Sequence, residues 1–120
     1  MTESEDCVFC RIAAGEIDAT VVAESERAIA FRDLDPQAPT HVLVIPRDHH
    51  RDVAALADAD PAALGDLISL VGRVAEQEGL AAGDPGGHRL VFNTGAGAGQ
   101  SVFHVHGHLL GGRRMGWPPG

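Results

Sequence analysis

Apolar and polar positions divide the chain into several short apolar runs and one long amphipathic stretch. Leu64, Leu67, Ile68, Val71 and Ala75 recur at the i, i+3, i+4, i+7 spacing of one buried helical face. Asp60 is a natural N-cap, Pro61 suits the first helical position, and Gly79 suits the C-cap. This pattern predicts the main helix. A shorter helix is predicted over Cys7 to Ala14, ended by Gly15. Val21 to Ala23 and Ala28 to Phe31 predict two strands, with Glu24 to Arg27 as the turn. His41 to Ile45, β-branched and stopped by Pro46, predicts a buried strand. His88 to Asn93 and Ser101 to Leu110 predict two more. Asp35 to Pro39 is a loop because of its two prolines, and Thr94 to Gly99 reads as a flexible loop. Short strands without βαβ alternation imply an α+β domain. Its antiparallel sheet has about five strands, with one main helix and a short N-terminal helix.

Composition narrows the class. The length of 120 residues, with 44% hydrophobic and 22% charged positions, fits a single globular domain over 1–120. A net charge of -8, and nine basic residues that are all arginine, exclude generic binding to DNA or an anionic membrane. Aromatic content of 4% argues against stacking platforms for single strands. Residues 1–6 read as a flexible, acidic N-terminus without a signal peptide, and no apolar run is long enough to span a bilayer. Cys7 and Cys10 lie too close together for a disulfide to add much stability, so reduced cysteines and a cytoplasmic location are expected.

Seven histidines against four Phe and one Trp change the picture most. His104, His106 and His108 occupy alternate positions. On a strand they would share one face at about 6.5–7 Å spacing, with Val105, Gly107 and Leu109 on the other. Each buried imidazole needs partners for two nitrogens, which core packing alone does not provide. Two chemistries suit the row: a metal site, or phosphate chemistry with a histidine nucleophile. The preceding Gly95-Ala96-Gly97-Ala98-Gly99 lets backbone N–H groups approach an anion, and Ser101 adds a hydroxyl. No helix follows it, so it is not a dinucleotide fingerprint.

His104-Val105-His106-Gly107-His108-Leu109-Leu110 matches the His-x-His-x-His signature of the histidine triad superfamily. The segment Phe31 to His41 with Val44-Ile45-Pro46, the segment Gly99 to His106, and the ending Gly111 to Gly120 resemble further blocks of its nucleotide-binding branch. The resemblance implies a dimeric hydrolase of purine nucleotides with a substituted α-phosphate, especially nucleoside phosphoramidates. It implies His106 as nucleophile, His108 on the phosphate, Ser101 near the leaving group and His41 as support behind the triad. Asp33 would accept the ribose hydroxyls, Leu34 would line the base pocket, and Asn93, Gly99 and Gln100 would help bind the nucleotide. Trp117, in the tail 111–120, would reach the partner of a homodimer. Gly107 stands where a bulky apolar residue is usual, which leaves a gap on the opposite strand face.

Cys7-Val8-Phe9-Cys10 has the spacing of a tetrahedral metal site, and surplus histidines are available at His49, His50 and His104. The resemblance assigns a structural zinc to Cys7, Cys10, His49 and His104. His50 and His88 are then surface positions. Neither an organic cofactor nor magnesium is expected. Three other readings compete: a dinucleoside polyphosphate hydrolase, a catalytic metal held by all three triad histidines, and a nucleotide-binding regulator without turnover.

Overall fold

A computed structural model describes residues 6–83 and 86–120. The expected flexible N-terminus lies, Asp6 apart, outside the described residues. The strands are β1 (Val21–Glu24), β2 (Ala28–Arg32), β3 (Thr40–Pro46), β4 (His88–Phe92) and β5 (Gly107–Gly111). They form one sheet in the order β1-β2-β3-β5-β4, with every neighbouring pair antiparallel. The helices are α1 (Val8–Ala13), α2 (Val53–Ala59) and α3 (Pro61–Gln77). The α+β class and the five-stranded antiparallel sheet are as expected. No helix among the described residues is long and apolar enough to cross a membrane.

The central strands read as continuous apolar runs because both sheet faces are covered. Ala28, Ala30, Val42, Val44 and Leu109 pack with Leu67, Leu70, Val71 and Val74 of α3. Ile29, Phe31, Leu43 and Ile45 alternate with them and pack on the other face with Cys7 and Phe9 of the α1 segment. His41 and His108 belong to this second face by the same alternation. Both α1 and α3 end in the same device. Gly15 and Gly79 adopt positive φ, and the residue after each returns its N–H to the carbonyl five positions back (Glu16 to Arg11, Leu80 to Ala75).

The structure corrects several expectations. Helix α2 lies in a stretch to which the sequence assigned no element; Asp52 caps it by accepting from the Ala55 N–H at 2.9 Å. Ile68 is 44% exposed, because it stands about 100° round the helix from Leu67, the centre of the buried face. The last strand begins at Gly107, not Ser101. Pro46 has no N–H to extend the β3 ladder, and its carbonyl takes the His104 ring instead at 2.9 Å. The backbone N–H of Val105 goes to the His50 carbonyl at 2.8 Å. Thr94 to Gly99 is a tied turn rather than a loose loop. The buried Gln100 side chain accepts from Gly95 N–H and donates to the Arg51 and Val102 carbonyls.

Gly107 leaves no gap. A Cβ there would lie 2.9 Å from Leu90 Cδ1 and 3.1 Å from the Phe92 ring, so β4 side chains fill the space a larger residue would take. Phe92 is its direct cross-strand partner.

Candidate active site and metal centre

Although only His108 of the triad lies in a regular strand, alternation through residues 104–108 still puts all three rings on the α1 face. Phe9 meets the His104 ring at 5.9 Å and the His106 ring at 4.9 Å, and the His106 and His108 rings are 4.9 Å apart. Val105 and Leu109 point into the α3 core.

Partners of fixed polarity assign each imidazole proton. His106 Nδ1 lies 2.9 Å from the His104 carbonyl, which only accepts, so Nδ1 carries the proton and Nε2 keeps its lone pair. His41 Nδ1 accepts the Gln37 N–H at 3.0 Å, so its proton is on Nε2. That Nε2–H is 2.9 Å from His108 Nδ1 and 3.5 Å from Asp33 Oδ2. His108 therefore accepts at Nδ1 and carries its proton on Nε2. This Nε2 is buried and has no hydrogen-bond partner among the described residues. An unspent donor thus stands next to a bare nucleophilic nitrogen.

Electrostatics keep these rings neutral. Burial lowers the pKa of His41 and His106, against the opposing pull of Asp33 on both. Burial, then repulsion by His106 and His41, lowers His108 to about 4. Neutral imidazoles near pH 7 are what a nucleophile and a neutral N–H donor require.

Of the other residues expected at the nucleotide, Asp33 touches this group, 3.5 Å from His41 Nε2. Asp33 is half-buried, and its Oδ1 accepts from Asp35 N–H at 2.8 Å, so one carboxylate oxygen caps its own loop. Leu34 is fully exposed beside it. Asn93 and His106 leave the β4–β5 ladder side by side, just beyond the Phe92–Gly107 pair. Gly99 and Ser101 are exposed in the turn before the triad. Gln100 differs from expectation: its side chain is spent inside the turn, so it shapes that turn and does not face a ligand. Trp117 is 83% exposed on the tail.

Cys7, Cys10, His49 and His104 converge, with ligand atoms all within 4.8 Å of one another. His104 Nδ1 is 3.4 Å from Cys7 Sγ and 3.3 Å from Cys10 Sγ, and His49 Nδ1 is 3.3 Å from Cys10 Sγ. The sulfur–nitrogen edge of a tetrahedral zinc site is about 3.5 Å, from bond lengths of about 2.3 and 2.05 Å. His104 Nε2–H is held by the Pro46 carbonyl, which leaves Nδ1 as the donor aimed at the sulfurs. Burial, reinforced by Cys7 and Asp48, pushes the Cys10 thiol up to about 12, a cost a bound cation would remove. The donor set fits a closed four-ligand metal.

This arrangement removes the three-histidine metal site. The His104 ring is spent on Pro46 and the cysteines, and the His106 Nδ1 proton is spent on a carbonyl. Asp33, His41 and His108 also converge, but they do not suit a cation. A metal on His41 Nε2 would displace its proton while Gln37 N–H still donates to Nδ1, leaving an imidazolate.

His50 and His88 stay outside both groups. His50 is half-buried, not a surface residue; its carbonyl anchors Val105. His88 is exposed and bonds the Leu80 carbonyl at 2.9 Å. The sequence reading missed Phe9 and the carbonyls of Pro46, His50 and His104. Backbone groups carry no residue-type signal, and Phe9 reads as an ordinary core aromatic.

Fold and site together define an α+β protein with a row of three histidines on one sheet face and a Cys2His2 cluster that shares His104 with it. The HIT domain family matches residues 14–115. The chain is 47% identical over 115 residues to the 14 kDa zinc-binding protein of Zea mays, covering 94% of this chain and 87% of that one. It is 44% identical over 115 residues to the adenylylsulfatase HINT1 of Arabidopsis thaliana, covering 94% and 76%. A HIT family hydrolase from Legionella pneumophila superposes with a TM-score of 0.88 at 50% identity, covering 96% of this chain and all of the other. The chain belongs to the HIT family and is a hydrolase.

Proposed function

We propose that the protein cleaves purine nucleotides at a substituted α-phosphate, of the nucleoside phosphoramidate type, through a nucleotidyl-His106 intermediate. One observation carries this reading: the bare Nε2 of His106 stands beside the unspent Nε2–H of His108. His106 Nε2 attacks phosphorus, and the bond from phosphorus to the substituent breaks. The leaving amine takes a proton, with the Ser101 hydroxyl as its donor. Water then attacks the phospho-imidazole, returns a proton to the Ser101 oxygen, releases the nucleoside monophosphate and restores neutral His106. His108 Nε2–H holds a phosphoryl oxygen, together with the Ala96 and Gly97 N–H groups, since those of Gly95, Ala98 and Gly99 are bonded within the turn. Asp33 Oδ2 is the acceptor left for a ribose hydroxyl, and the exposed Leu34 borders the base. The adenylylsulfatase relative acts on an adenylyl compound, which supports a nucleotide substrate.

Zinc is the metal proposed for Cys7, Cys10, His49 and His104, supported by the donor geometry and the zinc-binding relative. It supplies a structural clamp. The exposed Trp117 fits a homodimer in which the tail reaches the partner's site.

Hydrolysis of an adenosine phosphoramidate and of a dinucleoside polyphosphate, by wild type and His106→Ala, tests the reading. The phosphoramidate is expected to be preferred, and His106→Ala to lose about a thousandfold or more in kcat while staying folded. Full activity in that variant would falsify the covalent scheme.

A further inference from the structure

Three contacts hold the His106 ring: the His104 carbonyl at 2.9 Å, the Phe9 ring at 4.9 Å and the His108 ring at 4.9 Å. Two of them come from the frame of the metal centre. Phe9 sits between Cys7 and Cys10, and the carbonyl belongs to His104, itself a ligand candidate.

This frame is tightly closed. The His104 ring is fixed at both nitrogens, by the Pro46 carbonyl and by the two sulfurs. The next peptide N–H, that of Val105, is fixed by the His50 carbonyl. The His49-His50 dipeptide thus supplies one ligand and one anchor for the segment that presents His106. Helix α1 has only 6 residues, too few to persist by itself. Three things hold it: the Cys7 cap, the Phe9–Phe31 contact at 5.7 Å, and sulfurs facing His49 and His104.

We propose that the Cys7–Cys10–His49–His104 centre, with its metal bound, positions His106, acting through Phe9 and the His104 carbonyl. The proposal rests on His106 being the nucleophile. The centre keeps the His106 proton on Nδ1 and the ring at a fixed angle, so that Nε2 faces the phosphorus. Phe9 is a positioning residue in this scheme. Without the metal, thiol–imidazole contacts of 3.3–3.4 Å are what join the cysteines to the two histidines.

The test compares zinc-loaded wild type with His49→Ala, which removes a ligand, and Phe9→Leu, which keeps all four. Zinc per chain, circular dichroism, the 15N and Nδ1–H resonances of His106, and kcat and KM are measured for each. For His49→Ala, loss of zinc and of the slowly exchanging His106 Nδ1–H signal is expected. Its kcat falls about tenfold or more and its KM changes by less than about twofold. Phe9→Leu keeps its zinc, yet the His106 resonances broaden and kcat falls about tenfold at unchanged KM. Unchanged His106 resonances and kcat in folded, zinc-free His49→Ala, or in Phe9→Leu, overturn the proposal. If His49→Ala does not fold, Phe9→Leu decides alone. A zinc-loaded wild type without turnover would sink the hydrolytic scheme, while the resonances would still decide the positioning.

Discussion

Two histidine groups share one face of the sheet and serve opposite ends. In the Cys7–Cys10–His49–His104 group, a backbone carbonyl takes the outer ring proton of His104, and its lone pair turns inward to the sulfurs. In the Asp33–His41–His108 group, a backbone N–H takes the outer lone pair of His41, and a proton is passed inward to His108. Both groups have ligand-type atoms within 4.8 Å of one another. One backbone acceptor leaves a donor set that fits a metal; one backbone donor makes a hydrogen-bond relay. Polarity, not residue type, separates them.

The largest effect expected from breaking this pair lies on the metal side. Cys7→Ser should abolish stoichiometric zinc and lower the melting temperature by about 10 °C, corresponding to about 3 kcal/mol for a domain of this size. Metal analysis and calorimetry measure both; a variant that keeps its zinc would mean Cys7 is not a ligand. His41→Ala breaks the other side. It should retain zinc and lose about 10–100-fold in turnover, because His108 Nδ1 loses the donor that fixes its tautomer. Normal turnover in that variant would show that the relay does not matter.

The last expected effect is a slope in acid. The folded-state pKa of His108 is lowered to about 4, below an unfolded value of about 6.5. The unfolded chain therefore binds the proton first as the pH falls, and it gains on the folded state. Stability is intact at pH 7 and declines from about pH 6.5 to about pH 4, by an amount on the order of 2–3 kcal/mol. Denaturant midpoints of the zinc-free Cys7→Ser variant with and without His108→Asn across this range isolate the His108 share, since burial lowers His104 to about 4 as well. A flat profile would show that His108 is not held neutral by the fold.

Much of this was legible in advance, for particular reasons. The Asp60-Pro61 start and Gly79 stop of α3 are local signals, and they hold because capping involves neighbouring residues only. Cys-x-x-Cys spacing and the alternating histidines survive because chain geometry alone brings such residues together. The start of β5 was misplaced because a ladder depends on its partner, and Pro46 ends the partner strand. Gly107 was misread because the occupants of its space, Leu90 and Phe92, come from another strand. Gln100 was assigned to a ligand because nothing local shows a side chain turning back on its own loop.

The sequence by itself determined the class of fold, the Cys7–Cys10 pair and the histidine row, since these follow from spacing, periodicity and side-chain chemistry; the choice of His49 and His104 as their companions came from the family resemblance. Only the tertiary structure decided which nitrogen of each imidazole is free. Those protons are placed by the carbonyls of Pro46 and His104 and by the N–H of Gln37. Every residue has such groups, so no residue letter records them; folding alone brings each one to a particular ring.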